Sequence, residues 1–206
     1  MNFELADKLY VLLEAKKLDE AIALAENELR SIPETDFHKI LDRNLLHLTS
    51  DLAIYIAEFD QSTSEVLKKK RGFLRSIFSS EEKNKPVALY CEMNGFTINW
   101  DRWYIELYSF EKFSPKDWSW LPDFYDSSYD FTITGFEDIQ EAFRKEHESD
   151  RFNDSNIEKA YQVCELLVIL RLQELFREAY KGKADDWAAI PMFVTAHDYD
   201  LIYRPN

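Results

Sequence analysis

Residues 117–131, DWSWLPDFYDSSYDF, set six aromatic rings among four aspartates, with no lysine, arginine or histidine between them. Trp and Tyr rings carry much of the energy of protein interfaces, and a rim of carboxylates selects a cationic partner. On that chemistry the candidate partner-binding residues are Asp117, Trp118, Trp120, Asp123, Phe124, Tyr125, Asp126, Tyr129 and Asp130. The rings would supply buried contact area and the aspartates would pair with Lys or Arg of the partner. The competing reading is a long connection whose rings cover a sheet edge while its aspartates face water. Asp123, Asp126 and Asp130 stand three and four apart, which is not the alternating acid pattern with central glycine of a calcium loop.

Other chemistries find less support. The four glycines, Gly72, Gly95, Gly135 and Gly182, fall at expected turns and helix ends, so none is left for a phosphate-cradling loop. No cofactor and no metal site is expected. His38 and His47 are nine apart, on opposite sides of an expected helix, while His38 and Asp42 would share a face there as a solvated pair. His197 stands in a turn-like HDYD stretch, and a turn at a sheet end can carry a site. Glu165 flanks an apolar stripe beside Cys164 and Leu166: at the rim it is an ordinary solvated acid, whereas inside it needs a partner or a raised pKa. His197 and Glu165 are the catalytic candidates of a carboxylate-dependent hydrolase with a cleft beside the sheet.

The formal net charge is −14. Residues 64–85 hold seven Lys or Arg against three Glu, a net of +4, which leaves −18 for the rest. Such a chain repels phosphates, so direct nucleic-acid binding is not expected, and a basic protein is the expected partner. The run Lys68-Lys69-Lys70-Arg71 reads as a solvated helix end. Cys91 and Cys164 read as buried free thiols in a reducing compartment. The amino-terminal stretch lacks the pattern of a signal peptide and no apolar run spans a bilayer, so a cytoplasmic protein without a membrane role is expected.

These groups must be positioned by two kinds of element. Residues 1–83 read as an antiparallel helical region. Leu5, Leu9, Leu12 and Leu13 form one stripe, Leu18, Ile22, Ala25, Leu29 and Ile32 a second, and a third runs from Phe37 to Phe59. Ser62 with Glu65 suggests a cap opening a further helix through Val66, Leu67, Leu74 and Ile77. The segment KKLDEAIALAENELRSIP resembles one tetratricopeptide repeat, with Leu18, Ala21, Ile22 and Pro33 at that family's spacing. Lys16, Ala25 and Glu28 depart from it. The resemblance implies a single helical hairpin over residues 5–33, not an array.

Residues 84–206 read as an α+β region, which can be continuous with the first as one domain. Asn94-Gly95 predicts a two-residue hairpin pairing Met93 with Phe96, Cys91 with Ile98 and Leu89 with Trp100. Residues 103–110 read as a strand, FTIT as a short one, and MFVTA and DLIYR as two more. Thr134 with Glu137, and Ser155 with Glu158, predict caps for two helices, the second ending at Gly182. The expected fold is α+β: an antiparallel helical segment, then a mainly antiparallel sheet with helices on one face.

By composition and architecture the chain is similar in type to small acidic bacterial immunity proteins, which implies a non-catalytic protein that occludes a basic toxin. The expected function is therefore protein binding through the aromatic–acidic segment. The alternatives are the hydrolase above and a scaffold or assembly subunit that uses the helical region.

Overall fold

The computed structural model describes residues 1–71, 85–114, 117–148 and 154–206. The expected positions Gly72, Leu74 and Ile77 lie outside them. Helix α1 (Phe3–Glu14) opens on Asn2, whose side chain accepts from the Leu5 N–H, and buries Leu5, Leu9 and Leu13. The chain then turns back through Lys16 at φ 60, with Lys16 N–H donating to Leu13 O and Lys17 N–H to Leu12 O. That pair of bonds closes the helix end. Helix α2 (Leu18–Arg30) carries Asp19 and Glu20 in its first turn and Arg30 in its last, which suits its dipole.

The third expected stripe is not one helix. Residues 36–48 hold two short 3-10 turns, Asp36–Ile40 and Leu46–Leu48, and Asp42 sits at φ 58. Local side-chain bonds compete with helix here. The Thr35 N–H donates to His38 Nδ1 at 3.0 Å, and His38 Nε2 donates to Leu29 O at 2.9 Å. Phe37, Ile40, Leu45 and Leu48 are still buried. His38 and Asp42 therefore share no helix face: His38 closes a turn, and Asp42 pairs with Arg30 at 2.7 Å. Helix α3 (Thr49–Arg71) then runs without a break. Ser62 lies inside it and its hydroxyl donates back to Phe59 O, so it opens no new helix.

The sheet has five strands: β1 (Ala88–Met93), β2 (Tyr104–Phe110), β3 (Asp126–Ser127), β4 (Phe131–Thr132) and β5 (Met192–Ala196). The order is β3-β2-β1-β5, with β4 also on the outer edge of β2. Three pairings are antiparallel and β1 with β5 is parallel. The expected tight hairpin is replaced by a long one, in which Met93 pairs with Ile105 and Ala88 with Phe110. Asn94 makes the closure. Its N–H donates to Tyr104 O, its Oδ1 accepts from the Tyr104 N–H and its Nδ2 donates to Arg102 O. The loop that results buries Phe96 and Trp103, whose Nε1 donates to Phe96 O, and leaves Ile98 exposed. Burying those two rings outweighs a minimal turn. Of the expected DLIYR strand, only Tyr203 pairs, in a bridge to Val194.

Helix α4 (Glu137–Glu148) follows β4, and the Thr134 hydroxyl before it meets His47 Nε2 at 3.3 Å. Helix α5 (Ser155–Tyr180) is capped by Asp154, one residue before the expected Ser155, through a bond from the Asn156 N–H. It is buried without interruption over residues 163–173, between α2, α3 and β5. One hydrophobic cluster runs from Leu5 in α1 to Tyr203, taking in Leu89, Cys91, Met93, Ile105 and Leu107 from the helix-facing side of the sheet. The architecture is α+β, with helices before and beside a mixed, mostly antiparallel sheet. Among the described residues no helix is long and apolar enough to cross a membrane.

Candidate functional site

The far face of the sheet is built from the alternate residues of the same strands. Register puts Tyr90 beside Tyr108 and Glu92 beside Glu106, and the parallel pairing puts Phe193 beside Tyr90 and Thr195 beside Glu92. Among the described residues, the apolar cluster on this face draws only on strands and connections: Ala88, Tyr90, Phe110, Trp120 and Phe193, with Phe113 and Leu121 packed against them. Phe113 and residues 118–121 cover one end of the face. There Trp120 stands edge-on to Phe110 at 4.6 Å and Trp118 edge-on to Phe193 at 5.3 Å.

The other end is polar and open to solvent. Glu92, Tyr104, Glu106 and Tyr108 are half-buried, and His197 is exposed. Two glutamates directly opposite each other repel, which weakens strand pairing. Two neighbours relieve them. His197 Nδ1 lies 2.7 Å from Glu92 Oε1, and the Tyr108 hydroxyl donates to Glu106 Oε2 at 3.1 Å. The bond to Glu92 raises the His197 pKa above that of a free imidazole. Burial and the glutamates likewise push the Tyr90 and Tyr108 phenols up, so both stay neutral donors.

Elsewhere in the chain, phenol rings and carboxylates together hold cations. Arg102 lies over the Tyr104 ring at 4.7 Å and pairs with Asp130. Lys70 lies 5.9 Å from the centre of the Tyr125 ring and pairs with Glu111. In both places a cation is gripped by a phenol face and a carboxylate together. Glu92, Glu106 and Tyr108 repeat those group types on the open end, with the buried Tyr90 beside them.

The sequence-predicted segment does not form a single surface. It wraps the outer edge of β2 and divides. Trp118 (43% exposed) and Phe124 (46% exposed) lie on the far face, Phe124 against Tyr108. Trp120 is a correction: it is 6% exposed, because its ring fills the space between Phe110 and Phe193 and its Nε1 donates to Asp117 O. Tyr129 is exposed on the other side of the edge, with its ring on Tyr55 and its hydroxyl 3.0 Å from Glu58. Tyr125 is half-buried, and burial pushes its phenol up to about 12. Asp117 is tied into its own turn by the Ser119 N–H and hydroxyl, which hold its carboxyl below the usual range. Asp130 is taken by Arg102, Asp126 is half-buried in β3, and Asp123 is exposed.

The two catalytic candidates stand in different surroundings. His197 faces Glu92 on the open face, while Glu165 is buried at 6% exposure beside Tyr199 and the Met1 amine. Glu165 is therefore not a solvated rim residue. The sequence reading missed Tyr104, Glu106 and Tyr108. Their alternation in YIELY was the available signal, and only the true strand register sets them beside Tyr90 and Glu92. Comparison with protein-family models, curated proteins and solved structures finds no match.

Proposed function

We propose that the chain is a non-catalytic cytoplasmic binding protein that takes a basic protein partner on the open face of its sheet, in the manner of an immunity-type inhibitor that occludes its target. The observation that carries this reading is the cross-strand pair Glu92 and Glu106, flanked by Tyr90 and Tyr108. An Arg or Lys from the partner, set between the two glutamates, would turn a repulsion into two ion pairs under aromatic faces. Trp118 and Phe124 would supply apolar anchors at the edge of that contact, and the net charge of −14 would steer a basic partner toward it.

The test pairs mapping with capture. Isotope-labelled protein is titrated with an arginine- and tryptophan-containing peptide and with its glutamate-for-arginine counterpart. Only the basic peptide should shift amides of β1, β2 and residue 197, and salt should weaken the effect. In parallel, crosslinking in the native cell should capture a basic protein with the wild type and lose it with Glu92→Gln/Glu106→Gln. Shifts confined to helices α1 and α2 would overturn the proposal in favour of the scaffold alternative. The hydrolase alternative has the His197–Glu92 contact in its favour, and turnover lost on His197→Ala without loss of capture would support it.

A further inference from the structure

We infer that His197 is a gate on the open face: its side chain sits on Glu92 as a stand-in for the partner's cation, and the partner binds when His197 gives up its proton and that place. This rests on the open face being the partner's seat, and adds how access to the seat is regulated. The parallel pairing puts Thr195 beside Glu92, but the Thr195 hydroxyl donates to Tyr199 O at 2.9 Å. His197, two residues on, points to the same face. Its Nδ1 donates to Glu92 Oε1 at 2.7 Å. The titratable groups around this contact are Glu92 and Tyr90 from β1, Glu106 and Tyr108 from β2, and Asp198 from the turn itself.

Only a side chain has to move. The His197 N–H donates to Met93 O at 2.9 Å and the Tyr199 N–H to Ala196 O at 3.1 Å, so the backbone on both sides of the ring is pinned. The His197 side chain is 56% exposed, and exposed side chains change rotamer on the picosecond to nanosecond scale. Asp198 Oδ1 stands 3.6 Å from Nε2, so a second carboxylate is at hand for the displaced ring.

The two glutamates are relieved in different ways. Glu106 accepts from the Tyr108 hydroxyl, a neutral donor, whereas Glu92 accepts from a ring whose charge changes near neutrality. An imidazolium satisfies Glu92 and repels a second cation brought to the same carboxylate. A neutral imidazole gives way at the cost of one exposed hydrogen bond. Partner binding and proton loss are therefore coupled, and the coupling is reciprocal. The Glu92 contact raises the imidazole pKa, which moves closure of the gate toward neutral pH.

The probe is the arginine- and tryptophan-containing peptide with both ends blocked. It is titrated into labelled protein at about pH 5.5 and about pH 8, between which imidazole is the ordinary side chain that changes charge. The wild type should bind about fivefold more tightly at the higher pH. His197→Gln keeps a neutral donor and should bind at both pH values as the wild type does at the higher one. His197→Lys keeps a cation beside Glu92 and should bind weakly at both. Wild-type affinity that is equal at the two pH values, or a weakening at the lower pH that persists in His197→Gln, would overturn the gate while leaving the open face as the seat. A peptide that shifts no amide of β1 or β2 in any of the three proteins would overturn both.

Discussion

The two faces of the sheet share the same strands and obey opposite rules. Toward the helices stand Leu89, Cys91, Met93, Ile105, Leu107 and Val194, each exposed by 1% or less. Away from them stand Tyr90, Glu92, Glu106 and Tyr108, with His197 at the end of β5. The first face is chosen by volume, since any apolar residue that fills it will serve. The second includes a pairing that works against the fold, two glutamates directly opposite each other. His197 and Tyr108 offset part of that cost, so the open face is held by polar pairing where the closed one is held by packing.

The sharpest way to break the contrast is to damage the closed face. Leu107→Ala should lower unfolding free energy by about 3 kcal/mol in urea denaturation, because it leaves a cavity in the core between the sheet and the helices. A loss below about 1 kcal/mol would mean that the closed face tolerates change as readily as the open one. Asn94→Ala comes next. It removes one acceptor and one donor that close the long hairpin on Tyr104 and Arg102, and should cost about 1–2 kcal/mol. Exchange of the Tyr104 amide should accelerate in the same variant.

Much of the closed face was legible in the sequence, because apolar spacing reports burial. Leu5, Leu9 and Leu13 in α1 and Cys164, Val168 and Leu172 in α5 follow that logic. The helix-facing set of β1 was also correct, with Leu89, Cys91 and Met93 on one side. Spacing reports burial more faithfully than conformation. Phe37, Ile40, Leu45 and Leu48 keep a helix-like rhythm and are buried, yet His38 and Thr35 hold them in 3-10 turns. The open face was harder to read. Its residues meet only across strands, and Asn94-Gly95 suggested a partner strand beginning at Phe96, not Tyr104. The aromatic–acidic segment misled for a related reason. Local composition cannot show that a run bends around a strand edge and sends Trp118 and Tyr129 to opposite sides.

The contrast sharpens when charge is removed from the open face. Glu92→Gln/Glu106→Gln should raise stability slightly, by about 0.5 kcal/mol at neutral pH, because the cross-strand repulsion disappears. The same double variant should lose the basic peptide. Stability and binding then move in opposite directions, which a merely structural pair would not do.

The smallest effect is the pH dependence of His197. Its folded pKa is raised by Glu92, so the contact stabilises most fully below the ordinary imidazole value and fades as pH rises through the raised one. His197 is exposed, so solvent screens the pair and the stability change should be a few tenths of a kcal/mol. The readout is therefore the imidazole resonance itself. It should titrate above about 6.5 in the wild type and return toward that value in Glu92→Gln. A bound arginine peptide competes with the imidazolium for Glu92, so saturating peptide should lower the His197 midpoint. A midpoint that rises or holds still on binding would place the peptide's cation somewhere other than between the two glutamates.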